Sequence, residues 1–323
     1  MEATKQQDER LQWLKGRQSG IGGSDAASLF GVNPFQSPFA LWESKVSELV
    51  IEEEGTPAQY WGSKLEGAIR EAYAEKTGRE VVDGVTLARH PEHDFMIANT
   101  DGMILNVDGH DGPGTYEGKT TNVFNARAWD EGAPLYYQVQ TQHYMEVLDH
   151  SWASIAVLMM GSRDPFHWRD LERNQGFIDA LQEREYDFWH RYVVPRVPPP
   201  VDGEKSTRKA LHKLFPSDNG RVIILPPGAI ELHTERQSLQ SSLRTMQARR
   251  EEIDNELKLA IGEHSYGAIV DNGEVVAGYS FREQTRKETV QRACKFRSLR
   301  SASPKTVGGI LHDQMKGAED GDA

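Results

Sequence analysis

The chain has 323 residues, a formal net charge of −12 and 37% apolar residues, enough for one large α/β domain and a smaller appendage. Its single cysteine, Cys294, excludes an intrachain disulfide framework and any all-cysteine metal or iron–sulfur site. The acidic balance argues against broad nucleic-acid binding, although residues 282–305 carry eight Lys or Arg against two Glu. Residues 1–8 are charged and lack an apolar leader core, and no run nears the ~20 apolar residues that span a bilayer. A soluble cytoplasmic protein is expected.

In chain order, Glu9 to Lys15 has a short helical pattern, followed by Arg17 and Gly20-Ile21-Gly22-Gly23-Ser24-Asp25-Ala26-Ala27. Ser24 or Asp25 can cap the helix that continues through Leu29. A glycine turn feeding a helix start also suits an anion. Phe39 to Trp42 starts another helix, with Pro38 tolerated in its first turn. Pro57 to Thr77 is the clearest amphipathic helix, closed by Gly78. Trp61, Leu65, Ile69, Ala72 and Tyr73 share one face, with Glu66 roughly 60° from Ile69 at the margin of that stripe. Val81 to Leu87 and Met96 to Asn99 read as strands.

Ala98 to Gln142 organises the rest. Asn99-Thr100-Asp101-Gly102-Met103-Ile104 and Tyr116-Glu117-Gly118-Lys119-Thr120 read as a hairpin, joined through the Gly-rich turn 109–114. Asp101 then lies beside Glu117. Lys119, two residues on, points to the same side of the strand as Glu117. Two acids and a lysine on one patch can hold a hard divalent cation next to a reacting water.

Pro134 opens a helix to about Leu148, carrying Gln138. Trp152 to Met160 is a strand covered on both faces, and Phe166 to Arg169 another. Phe177 to Val194 is helical. The proline-rich stretch from Pro195 to Gly203 is a stiff linker. The expected divisions are a core over 1–195, a linker with short connecting elements over 196–228, an extension over 229–305, and a disordered tail over 306–323. In the extension, Ile230 to Ile261 forms a long polar helix. Leu232, Leu239, Leu243, Met246, Ile253 and Leu257 recur along it near heptad or four-residue spacing, which suits equally a coiled coil and a helix packed on its own domain or in a hairpin. Tyr266 to Phe281 is a hairpin turning at Asn272-Gly273. In the basic segment, Arg286, Arg292, Lys295, Arg297 and Arg300 are candidate DNA contacts. His90 and His93 lack a partner ligand pair and are expected on a surface loop. His143 suits packing or a place near a phosphate. Ser24 has no partners for a hydrolase triad.

Taken together, Arg17, Ile21 to Ala27, Trp61-Gly62 with Glu66, Asn99 to Gly102, Glu117 to Thr120 and Tyr137 to Gln140 resemble the PD-(D/E)XK nuclease superfamily. More narrowly, they are similar to the YqaJ-like viral recombinases related to lambda exonuclease. The resemblance spans roughly residues 10 to 195 and implies a restriction-endonuclease-like α/β core with a mixed central sheet flanked by helices.

The resemblance also implies Mg²⁺ or Mn²⁺ held by Asp101 and Glu117, with the Gly118 carbonyl and Glu66. Lys119 would orient or deprotonate the attacking water, and Gln138 would position water or substrate. Arg17 and Ser24 would grip a 5′-phosphate. The implied substrate is linear duplex DNA degraded from 5′ ends, leaving a 3′ strand for a single-strand annealing protein, and the enzyme would be a homo-oligomer with no membrane partner. An endonuclease or junction resolvase is the alternative on the same fold, and a non-catalytic end-binding scaffold the alternative in another class. Position 118, apolar in the family pattern, is glycine here, so the strand should be locally looser.

Overall fold

The structure, a computed structural model, describes residues 11–48, 56–105, 107, 109–272, 274–283, 307, 309–310, 312–314 and 316. The chain divides into two compact units, Met1–Phe215 and Pro216–Ala323. The candidate DNA contacts Arg286, Arg292, Lys295, Arg297 and Arg300 lie outside the described residues.

The first unit begins with helix α1, residues 11–18. Strand β1 (Ile21–Gly22), helix α2 (Gly23–Leu29) and helix α3 (Pro38–Val46) follow. Ser37 caps α3 by accepting from Ala40 N, and proline occupies the first turn, where a missing amide costs nothing. Helix α4 spans Pro57–Thr77. Thr56 and Gln59 form a reciprocal cap at its start, and Gly78 ends it in the left-handed conformation at φ 70°. Ile69 and Tyr73 are its buried residues. Trp61, expected on that face, is exposed and meets Tyr60 edge-on at 5.4 Å.

Short strands β2 (Val81–Asp83), β3 (Ala88–Arg89) and β4 (Met96–Ala98) lead to β5 (Gly102–Ile104) and the long β6 (Gly114–Asn122). A 3₁₀ segment, Val123–Trp129, and helix α5 (Leu135–Leu148) form the crossover to β7 (Trp152–Met160), which pairs parallel to β6. Strand β8 (Phe166–Glu172) closes the sheet β2-β5-β6-β7-β8, antiparallel at every pairing except β6–β7. Strands β1, β4 and β3 form a separate small sheet. The expected continuous strand through Asn99 therefore leaves one sheet at Ala98 and enters the other at Gly102.

Helix α4 covers the sheet face bearing Tyr116, Trp152 and Ala156. Trp129 and Tyr137 cover the face bearing Ile155, Val157 and Met159. With both faces covered, β7 is buried almost throughout. A third cluster joins α2, α3, α5 and α6 (Gln175–Phe188). This is the helix-flanked mixed sheet implied by the resemblance.

The first unit runs past the expected boundary at 195. After α6 and a π turn, helix α7 (Lys205–Leu214) docks on α3. Thr207 meets Ser37 hydroxyl to hydroxyl at 2.6 Å, and Ala210 is buried.

The second unit holds helix α8 (Ala229–Ile261) and a hairpin of β9 (Tyr266–Asp271) and β10 (Glu274–Ser280), with Asn272 at φ 49° in the turn. The tail is not uniformly without structure. Described residues between 307 and 316 are helical, and Gln314 accepts from Val222 N at 2.7 Å.

Candidate active site

The backbone between β4 and β5 sets Asp101 in place. Asn99 Oδ1 accepts from Leu87 N at 3.0 Å, and Thr100 Oγ1 from Val85 N at 3.1 Å. Gly84 allows this clamp, because a Cβ there would lie 1.9 Å from the Thr100 carbonyl oxygen. Gly102 pairs with Tyr116, so the residue before it comes opposite the residue after Tyr116. Asp101 and Glu117 are neighbours across two strands, as the sequence predicts. Asp101 Oδ2 accepts from Gly118 N at 2.9 Å, tying the carboxylate to β6.

Glu117 is buried at the centre of the sheet. Its Oε1 takes two donors, Lys119 Nζ at 2.5 Å and Gln140 Nε2 at 2.7 Å. Gln140 also donates to the Tyr144 hydroxyl one turn along α5, at 3.1 Å. Lys119 Nζ rests over the Tyr137 ring, 4.7 Å from its centroid. Half-buried Glu66 reaches Asp101 from α4.

These carboxylates compete for protons. Burial, then the nearby Asp101 charge, pushes Glu117 up to about 8 despite Lys119. The same two causes push Glu66 up to about 7. Burial alone would lower Lys119, but Glu117 and Asp101 hold it above the usual lysine range, so it carries its charge. Glu117 Oε2 is buried with no hydrogen-bond partner, a costly condition for a carboxylate oxygen.

A hard divalent cation would answer that deficit. Among the described residues no group of three or more His, Cys, Asp or Glu side chains forms a ready-made metal cage. The orphaned Glu117 oxygen, the adjoining Asp101 and their surplus of negative charge nevertheless fit a cation that completes its shell with backbone oxygen and water. Gly118 adds no obstacle. A Cβ there would lie 3.3 Å from the Tyr116 hydroxyl and 3.5 Å from Ile69, so the glycine makes room for Tyr116.

The second predicted group also assembles. Arg17 Nη2 donates to Ser24 Oγ at 3.1 Å and lies 3.6 Å from Asp25 Oδ1. The Trp13 ring backs the guanidinium at 5.2 Å. Lys45 Nζ donates to Asp25 Oδ2 at 2.7 Å and to the Arg17 carbonyl at 2.8 Å. Burial would raise Asp25, but Lys45 and Arg17 hold it below the usual carboxylate range. Neither Ser24 nor Asp25 is the cap residue itself. Gly22 is, and Asp25 reaches back to accept from Gly22 N at 3.0 Å, leaving Ser24 to Arg17.

Gly23 joins the two groups. A Cβ on it would fall 2.6 Å from the Tyr144 ring and 2.8 Å from the Gln140 carbonyl. Helix α2, bearing Ser24, therefore lies directly on the stretch of α5 that holds Glu117.

Gln138 is not brought to the site, because its amide donates to the Ala133 carbonyl at 2.6 Å. Residues two apart on a helix point roughly 200° apart, and Gln140 holds the place assigned to Gln138. The Gln140-x-x-x-Tyr144 spacing, one turn apart, was the available signal. His90 is buried rather than on the surface, stacked on His93 at 5.2 Å and 3.2 Å from Glu146. His143 is a packing residue. Its Nε2 donates to the Ile97 carbonyl at 2.9 Å, and its Nδ1 meets buried Glu185 at 2.8 Å.

The profile of the YqaJ-like viral recombinase domain matches residues 12–151. Protein YqaJ of Bacillus subtilis (strain 168) is 32% identical over 264 residues, 80% of this chain and 81% of that protein. The chain belongs to the YqaJ-like viral recombinase family. The profile match lies wholly within the first unit, whereas the match to the Bacillus protein is longer than that unit. Among solved structures, the alkaline exonuclease LHK-Exo from Laribacter hongkongensis aligns with a TM-score of 0.48 and 19% identity, over 63% of this chain and 99% of that one. A phage-related exonuclease from Haemophilus somnus 129PT aligns with a TM-score of 0.41 and 12% identity, over 55% and 95%. No helix among the described residues is long and apolar enough to cross a membrane.

Proposed function

We propose that this YqaJ-like chain is a metal-dependent exonuclease that degrades linear duplex DNA from its 5′ ends. It would act in the cytoplasm as a homo-oligomer and hand the remaining 3′ strand to a single-strand annealing protein. The observation that carries the reading is the Asp101–Glu117–Lys119 row, with the orphaned oxygen of buried Glu117, packed through Gly23 against the Arg17–Ser24 pair. Asp101 and Glu117, with the Gly118 carbonyl and Glu66, are the groups that would hold Mg²⁺ or Mn²⁺. Such an ion supplies Lewis-acid stabilisation of the charge that builds at phosphorus.

The side chains supply the rest. Lys119, held charged, orients the incoming water and offsets charge on the non-bridging phosphate oxygens, rather than acting as the base. Gln140 fixes Glu117. Arg17 and Ser24 offer a charged fork and a hydroxyl to the terminal 5′-phosphate. Water forms the new bond to phosphorus and the bond to the 3′ oxygen breaks, with a proton ending on that oxygen. The released nucleotide keeps its 5′-phosphate, and the shortened strand gains a new one.

Digestion of linear duplexes with 5′-phosphate or 5′-hydroxyl ends, in Mg²⁺ and in Mn²⁺, against a closed circle, tests this. Preferential loss of the phosphorylated linear substrate is expected. Nicking of the circle would make the protein an endonuclease. End binding without cleavage would make it a scaffold.

A further inference from the structure

Helix α8 has 33 residues, a rod of roughly 50 Å. Leu232, Leu239, Met246, Ile253 and Ala260 recur along it at a strict interval of seven. Leu243 and Leu257 fall on the companion seam position three residues before the next member of that row, alternating with Arg236 and Arg250. A repeat of seven sustained over four heptads winds a helix against another helix with the same repeat.

Most of the described seam residues are exposed. Leu232 is 68% exposed, Leu239 56%, Leu243 63%, Met246 69% and Ile253 40%. Ile261, at the end of α8, is the only buried apolar side chain among the described residues of this unit. The hairpin beyond it is solvent-exposed along both strands.

We propose that α8 forms a coiled coil with α8 of a second copy of this chain. Only a second copy guarantees a matching seven-residue repeat, and among the described residues of this unit no other helix approaches α8 in length. One flanking pair is complementary in charge. In a parallel pair, Arg249 of one helix faces Asp254 of the other across the seam. Arg236 and Arg250 on the seam favour two strands, where a long side chain can still reach water. This deepens the homo-oligomer reading by naming its surface, and stands whether or not the chain cleaves DNA.

Met246 lies midway between Leu232 and Ala260, so it meets its own copy in either helix direction. The test uses full-length chain in a C294S background carrying M246C or, on the opposite face of α8, S241C. Each is treated with a short bis-maleimide, and light scattering gives the mass of the unmodified chain. The expected result is a covalent band at twice the chain mass for M246C and its loss for S241C, with both thiols labelled by a monofunctional maleimide. Leu239 and Met246 are exposed within one copy, so L239E with M246E leaves each copy folded and should remove α8-dependent association. An oligomer in which M246C labels but does not crosslink would place the interface elsewhere, overturning the proposal while leaving the homo-oligomer reading intact. Protection of M246C without a covalent dimer would assign the seam to another part of the chain and overturn it as well.

Discussion

Two buried carboxylates in this molecule each face a lysine at nearly the same distance, yet they are driven in opposite directions. Glu117 lies 2.5 Å from Lys119 and is pushed up to about 8 by burial and by Asp101. Asp25 lies 2.7 Å from Lys45 and is held below the usual carboxylate range by Lys45 and Arg17. The lysine is not the difference. Asp25 also receives the Gly22 amide and has Arg17 beside its other oxygen. Glu117 has one oxygen without a partner and two further acids nearby. One carboxylate is already compensated and serves to hold structure. The other lacks positive charge, which suits a site that recruits it.

The largest break in that comparison is chemical. K119A and D101A should each lower cleavage of 5′-phosphorylated linear duplex by about a thousandfold or more, with an unchanged circular dichroism spectrum. Undiminished turnover in K119A would remove Lys119 from its assigned role.

Stability against pH comes next, measured by urea denaturation in chelator. Glu117 and Glu66 bind protons more tightly folded than unfolded. Their contribution is complete below the ordinary 4.5 and is lost as pH rises through about 7 to 8. Asp25 binds its proton less tightly when folded, so its contribution is present above the ordinary 3.8 and is lost as pH falls. E117Q should flatten the alkaline decline and D25N the acid one. K45M, which strands Asp25, should cost about 3–5 kcal/mol at neutral pH. Equal slopes in E117Q and D25N would erase the distinction.

The same shifts would make the proposed cation binding proton-coupled. Mg²⁺ or Mn²⁺ affinity at the row should strengthen from pH 6 to pH 8 with proton release, read by titration calorimetry in buffers of differing ionisation enthalpy. E117Q should diminish the release.

Smaller effects separate the neighbours. R17A should lower the preference for 5′-phosphate over 5′-hydroxyl ends by about ten- to a hundredfold, chiefly in KM. Q140A should lower kcat about tenfold, while Q138A stays near the parent. The reverse order would return the role to Gln138.

What the sequence could show follows from the physics of each element. Helix α4 matches its expected span because Pro57 and Gly78 punctuate a one-sided apolar stripe. Strand β7 is a plain apolar run, and the two-residue alternation of Glu117 and Lys119 survives any small error in register. Helix α5 gave no such handle. Val139 through Val147 are all buried, so no polar face marks its phase or distinguishes Gln138 from Gln140. The burial of His90 is not legible locally, because Glu146, which engages it, lies 56 residues away. The proline-rich stretch after Val194 looked like a boundary, since nothing local announces that Thr207 docks on Ser37.

The close packing at Gly23 has one more consequence. It sets Ser24 against the stretch of α5 that holds Glu117, and Arg17 is tied to that arrangement through Ser24 and Lys45. If Arg17 and Ser24 grip the chain end as proposed, the arrangement would act as a gauge, the grip dictating which bond is presented. Fragment length then becomes a readout of helix packing. G23A, which forces α2 away from Tyr144, should blur single-nucleotide products into a mixture.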